Sequence, residues 1–270
     1  MNKEVSENNE TNKNRITKEC KSFVKERYLK KFKNFTKALK EYNAIEAFAP
    51  DGNIWESGQS ISEEAHYVMR LASQYHLNEC FKAMKIDLNN PNVKEELEVG
   101  NIGTPGRIAK VWNGASVDDD REIGNGRWNK PVRIATFPNT SEVKIPITKR
   151  VDIISSCSHH AIVFDTISRP DSYAFISYIP DQKVLGISKL QRLASNVSSR
   201  FFLQEDLVKA LYEKVSAVAG TESVFVSIVN ARHGCETYRS TRSKDGSFSS
   251  EYYGGDFNDS ELRKQVYRTL

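Results

Sequence analysis

The stretch PVRIATFPNTSEVKIPITKRVDIISS, residues 131–156, decides the fold class. β-Branched and aromatic residues crowd its runs VRIATF (132–137), EVKIPI (142–147) and VDIIS (151–155), and Pro, Asn and Ser separate them, as in short strands joined by turns. AIVF (161–164) and AFISYI (174–179) continue the series, and SVFVSIV (223–229) and a strand pair reaching Tyr253 close it. Between these runs the spacing predicts helices at 187–198 and 205–219, the second with Leu207, Leu211, Val215 and Val218 along one side. Upstream, Phe23, Tyr28, Phe32, Phe35 and Leu39 approximate one face of a helix from about Thr17 to Tyr42. Ser60-Ile61-Ser62-Glu63 has the form of a capping box opening a second helix through Val68, Leu71, Ala72, Tyr75 and Phe81. TPGRIAKVW (104–112) reads as a short helix with Pro105 near its start. The expected fold is α+β, a largely antiparallel sheet with helices packed on one face, preceded by an N-terminal helical extension. Residues 1–15 are polar with a single Val and are expected to be a disordered tail, 16–60 the helical extension, and 61–270 one domain.

Composition narrows the function. In 270 residues, 39% apolar and 27% charged, no run approaches the roughly 20 apolar positions of a spanning helix, and MNKEVSENNETNKNR lacks the apolar centre of a secretory signal. A cytoplasmic protein with no membrane partner is expected. Thirty-nine Lys and Arg against 35 Asp and Glu give +4, an excess that helps an anionic substrate approach but is far from the basic stripe of a nucleic-acid binder. Lys25, Lys30, Lys33, Lys37 and Lys40 are read as the solvated side of the first helix, so no nucleic-acid partner is expected.

Four cysteines are too few for a disulfide scaffold, and a reducing cytosol keeps them as thiols. Three of the five histidines sit within three residues of a cysteine: His159 and His160 beside Cys157, His233 beside Cys235. Cys157, His160 and Cys235 make three soft donors, the number found in catalytic zinc sites that keep a fourth position for water. Cys–His neighbours also arise as ordinary core residues, and a Cys–His nucleophile pair is a further reading. The zinc deaminase signature is absent.

Five ordered blocks favour zinc among these readings: TPGRIAK (104–110), SSCSHH (155–160), YIPDQKVLGISKLQR (178–192), LQEDL (203–207) and VSIVNARHGCETYR (226–239). Together they resemble the GTP cyclohydrolase I family, over roughly residues 62–257. The resemblance implies a tunnelling fold and hydrolysis of GTP at guanine C8, with formate release and rearrangement of the ribose to 7,8-dihydroneopterin triphosphate. It implies Zn2+ held by Cys157, His160 and Cys235, and a ring-shaped homo-oligomer, typically decameric. Folate, biopterin and 7-deazaguanine pathways all begin at this step, so the pathway stays open.

The resemblance also assigns roles. His233 matches the histidine that protonates N7, suited to it by an imidazole pKa near neutrality. His159 matches the residue at the ribose hydroxyls, with Ser188 its partner in later proton transfer. Glu205 matches the guanine-reading glutamate, whose two acceptor oxygens face the parallel donors of N1–H and N2–H₂; Gln204 is expected to shape the same wall. Lys189, Arg192, Arg239 and Arg107 are implied for the triphosphate.

Three departures stand out. Ser158 occupies the position where the family usually has glutamate, removing a carboxylate next to the metal donors. The stretch from His160 to Tyr178 is longer than usual, with Ser168–Asp171 as the extra loop, and Ser240 replaces a common glycine. Ser158 motivates the alternative of a catalytically altered member, one that binds a guanine nucleotide as a regulator or acts on a different purine-like ring.

Overall fold

The structure, a computed structural model, describes residues 16–94, 103–117, 123–238 and 246–270; the tail expected at 1–15 lies outside them. The chain divides into two compact units, Met1–Lys130 and Pro131–Leu270.

In the first unit the single helix expected from Thr17 to Tyr42 is two, α1 (Lys18–Tyr28) and α2 (Phe35–Ala44). The apolar spacing runs through the break, but Asn34 starts a new helix by accepting from the Lys37 N–H at 3.2 Å. Two short helices can then both pack on α3 (Glu63–Ala83): Cys20, Val24 and Tyr28 from α1, and Phe35, Ala38 and Leu39 from α2, meet Val68, Leu71 and Ala72. Ser62, not Ser60, caps α3, accepting from the Ala65 N–H at 3.2 Å, because the Glu41 carboxylate takes the Ser62 N–H and hydroxyl and fixes the entry. α4 (Gly103–Asn113) forms where TPGRIAKVW predicted it. His66 of α3 is 1% exposed, its Nε2 2.6 Å from Asn113 O at the end of α4.

The second unit holds the sheet. Only the end of VRIATF is extended, as β1 (Thr136–Pro138), which pairs with β6 (Lys183–Leu185) in a separate two-stranded ribbon. EVKIPI forms no strand before Ile147: the Asn139 side chain bonds both ways with the Val143 backbone at 2.9 Å, Glu142 takes a positive φ of 48°, and Pro146 has no N–H to give a ladder. β2 (Ile147–Val151) follows, and VDIIS is split between it and β3 (Ile154–Cys157), with the Gln191 side chain accepting from the Asp152 N–H at 2.8 Å in the gap.

β4 (Val163–Asp165), β5 (Tyr173–Tyr178), β7 (Phe201–Phe202), β8 (Val224–His233) and β9 (Phe248–Tyr253) complete a sheet in the order β2-β5-β8-β4-β3-β7, with β9 paired to β8. Every pairing in it is antiparallel except β3 with β7. Period-two alternation sorts the residues: Ala174, Ile176, Tyr178, Val224, Val226 and Ile228 face a core shared with α5 (Ile187–Ser198) and α6 (Gln204–Ala219). Phe175 and Phe225 point the other way, against Phe257 and Val266 of the C-terminal segment with α8 (Ser260–Arg268). β8 carries a register shift between Ile228 and Ala231, with Asn230 at φ 53°. Beyond this bulge it pairs with β4, Phe164 opposite His233. Among the described residues no helix is long and apolar enough to cross a membrane.

Candidate metal centre

β3 ends in a tight turn built by main-chain bonds. The Cys157 N–H donates to Ile162 O at 2.9 Å and the Ala161 N–H to Cys157 O at 2.8 Å, with Ala161 at φ 54°. The turn brings His160 back beside Cys157, Nδ1 to Sγ 3.7 Å. The third donor arrives on α7 (Gly234–Tyr238), which begins where β8 stops. Gly234 permits the approach: a Cβ there would lie 2.5 Å from Ile162 Cγ2 and 2.9 Å from Val163 O.

The donor atoms of Cys157, His160 and Cys235 all lie within 4.8 Å of one another. Around a tetrahedral zinc, with Zn–S about 2.3 Å and Zn–N about 2.0–2.1 Å, donors stand about 3.4–3.8 Å apart, so small side-chain adjustments close the set. Two sulfurs and an imidazole nitrogen suit zinc and are poor ligands for magnesium or calcium. Burial raises the pKa of the Cys235 thiol above its usual range, and the neighbouring Cys157 sulfur raises it further. A cation that takes both as thiolates relieves that opposition.

His233 is held on three sides. Its ring stacks on Phe164, centroids 4.7 Å apart and planes 1° from parallel, and the Phe248 ring meets it edge-on at 5.8 Å. Its Nε2 lies 2.7 Å from Gln204 Oε1 and its Nδ1 4.0 Å from Cys235 Sγ. Burial lowers its pKa; the carboxylates of Glu236 and Glu205 act in the opposite direction. His159 is exposed on the turn, its ring 6.0 Å from that of His160.

The remaining sequence-predicted residues fall in three places. Glu205 is exposed in the first turn of α6, while Gln204 beside it is 1% exposed. β7 carries this helix start to the metal turn: Cys157 and Phe202 are register partners, and the Ser158 N–H donates to Phe202 O at 3.1 Å. Ser188, Lys189 and Arg192 lie on α5 away from its buried Leu190, Leu193, Ala194 and Val197, Ser188 and Arg192 exposed and Lys189 partly so. Arg107 is exposed on α4 of the first unit, and Arg239 lies outside the described residues.

Phe164, Phe248, Ser250 and Glu236 were not singled out by sequence reasoning. Cross-strand pairing brings the Phe residues to His233, and nothing local in the sequence announces it. Gly234, wedged between a histidine and a cysteine, was a legible signal for close backbone approach.

A family model described as GTP cyclohydrolase I matches residues 77–270. GTP cyclohydrolase 1 of Erwinia tasmaniensis is 29% identical over 195 residues, covering 71% of this chain and 78% of that protein. GTP cyclohydrolase 1 of Blochmanniella pennsylvanica is 27% identical over 204 residues, covering 75% and 82%. Among solved structures, the apo form of the archaeosine synthase QueF-Like overlaps with a TM-score of 0.31 at 20% identity, covering 41% of this chain and 93% of that one.

Proposed function

The chain belongs to the GTP cyclohydrolase I family, and from that membership we propose that it hydrolyses GTP at guanine C8, releases formate and forms 7,8-dihydroneopterin triphosphate in the cytoplasm. The observation that carries the reading is the convergence of Cys157, His160 and Cys235 within 4.8 Å from two distant segments. Bound by these three residues, zinc supplies Lewis acidity toward the oxygen nucleophile that opens the imidazole ring.

The chain's own groups divide the rest of the work. Glu205 accepts from guanine N1–H and N2–H₂, a donor pair adenine lacks. His233 carries the proton given to N7, which makes C8 electrophilic, and its stacking on Phe164 keeps the ring from turning while it does so. His159 and Ser188 serve the ribose hydroxyls in the rearrangement. Lys189 and Arg192, three residues apart on one helix, take phosphate oxygens; Arg107 and Arg239 are proposed for the same triphosphate on the resemblance alone. The domain doing this spans residues 61–270 and works as a homo-oligomer, a decameric ring.

The test is incubation of zinc-loaded protein with GTP, oxidation, and measurement of neopterin fluorescence together with formate. Absence of both products refutes the proposal. Ser158 favours one other reading, a member that holds a guanine nucleotide without turning it over. Calorimetric GTP binding without product, and turnover restored by Ser158→Glu, would support it.

A further inference from the structure

We infer that Gln204 is a positioning residue, one that fixes His233 with its proton on Nε2 and leaves Nδ1 as the nitrogen turned toward the metal donors. The hydrogen bonds settle the orientation of the Gln204 amide. Its Nε2 lies 3.1 Å from Phe248 O, and a main-chain carbonyl can only accept, so the amide nitrogen must point there. The same nitrogen lies 2.9 Å from Ser250 Oγ, which engages its second hydrogen. Oε1 is therefore the atom 2.7 Å from His233 Nε2, and a carbonyl oxygen requires that nitrogen to carry hydrogen. Both amide hydrogens and the carbonyl oxygen of Gln204 are engaged, and the residue is 1% exposed.

The ring cannot escape the arrangement by flipping. Phe164, 0% exposed, covers one face, and Phe248 closes an edge. A flip would replace the Nε2–H donor at the Gln204 carbonyl with the ring's Cε1–H, and the other tautomer would set a bare nitrogen there, two acceptors in a buried site; both forfeit the hydrogen bond. Nδ1 is left 4.0 Å from Cys235 Sγ, on the side where substrate must meet the donors. The assignment moves Gln204 from the base-binding wall expected beside Glu205 to a place behind the histidine. It deepens the proposed function: in that reaction His233 first takes a proton on Nδ1 from solvent, becoming the imidazolium, and gives that proton to N7, returning to the Nε2-protonated form; the tautomer itself is independent of that reading.

The experiment uses zinc-loaded, full-length protein labelled with ¹⁵N-histidine, examined by magic-angle-spinning NMR at pH 8. Five histidines make the spectrum tractable, and His233→Asn assigns the signal. The wild type is expected to show a protonated Nε2 and a bare Nδ1. Gln204→Met, close in volume with no acceptor, is expected to lose that single-tautomer signature. Its kcat for GTP should fall about 10- to 100-fold with KM little changed, the range for groups that orient an active residue. Gln204→Glu keeps an acceptor and should keep the protonated Nε2. A wild-type proton on Nδ1, or a Gln204→Met spectrum identical to wild type with only KM raised, overturns the inference. If Gln204→Met does not fold, the wild-type and Gln204→Glu spectra decide. Protein inert toward GTP but carrying the expected tautomer would refute the proposed reaction and leave the positioning role intact.

Discussion

Gly234→Ala is the substitution whose effect the structure specifies most closely. The new methyl would lie 2.5 Å from Ile162 Cγ2 and 2.9 Å from Val163 O, whereas carbon atoms rest at about 3.5–4.0 Å, so relief of about 1 Å is needed. Ile162 is β-branched and cannot withdraw its γ methyl without turning χ1 or moving its backbone. Its carbonyl receives the Cys157 N–H at 2.9 Å, so displacing it disturbs the turn that carries Cys157 and His160. The alternative, displacing Gly234, moves Cys235. Either way a donor shifts by more than the ~0.2 Å that metal–ligand distances tolerate. The expected outcome is a folded protein destabilised by about 1–3 kcal/mol through overpacking, with zinc affinity reduced about 10- to 100-fold. Chelator competition followed by a zinc-sensitive dye measures the second quantity and urea denaturation the first. Wild-type affinity and stability in this variant would refute the argument that a bare backbone at 234 is what lets the two segments meet.

Cys235→Ser is expected to retain wild-type circular dichroism while losing stoichiometric zinc by elemental analysis and losing turnover, because a hydroxyl is a poor substitute for thiolate. Glu205→Ala should keep its zinc and weaken GTP binding by tenfold or more in calorimetry, about 1.5–3 kcal/mol for hydrogen bonds to a charged group. His66 predicts a pH effect: burial lowers its pKa from 6.5 to about 4, so the unfolded state binds the extra proton first. Its contribution is complete above pH 6.5 and is lost as pH falls toward 4, by up to about 3 kcal/mol at 1.36 kcal/mol per unit. Urea midpoints from pH 7 to 4.5 should therefore fall more steeply in wild type than in His66→Phe; parallel slopes would contradict it.

What the sequence disclosed depended on how far each cause reached along the chain. Leu207, Leu211 and Val215 recur at helical spacing, and Cys157 and His160 share one turn, so α6 and two of the three donors were readable locally. The helix break at 29–34 was hidden because Phe32 and Phe35 continue the periodicity across it, and only packing on α3 favours two short helices. The strand expected at 142–147 gave way to Pro146 and the Asn139 turn, local features that outweighed β propensity. Gln204 turns inward beside exposed Glu205, because successive helical residues point about 100° apart. Its partners, His233, Phe248 and Ser250, come from a strand end and from β9, a convergence no sequence window spans.

The short parallel ladder between β3 and β7 acts as a measuring rod. Cys157 stands opposite Phe202, and Glu205 follows three positions later on the same chain. The gap between the metal donors, where the purine ring is proposed to open, and the carboxylate proposed to recognise its far edge is thus a length of polypeptide, fixed by main-chain bonding. Exchanging side chains can alter what is recognised there, but a longer or shorter heterocycle would demand insertion or deletion between 202 and 205. Substrate size is in that sense written in backbone, and a drift toward a differently sized ring should leave its trace as a change in chain length at that point.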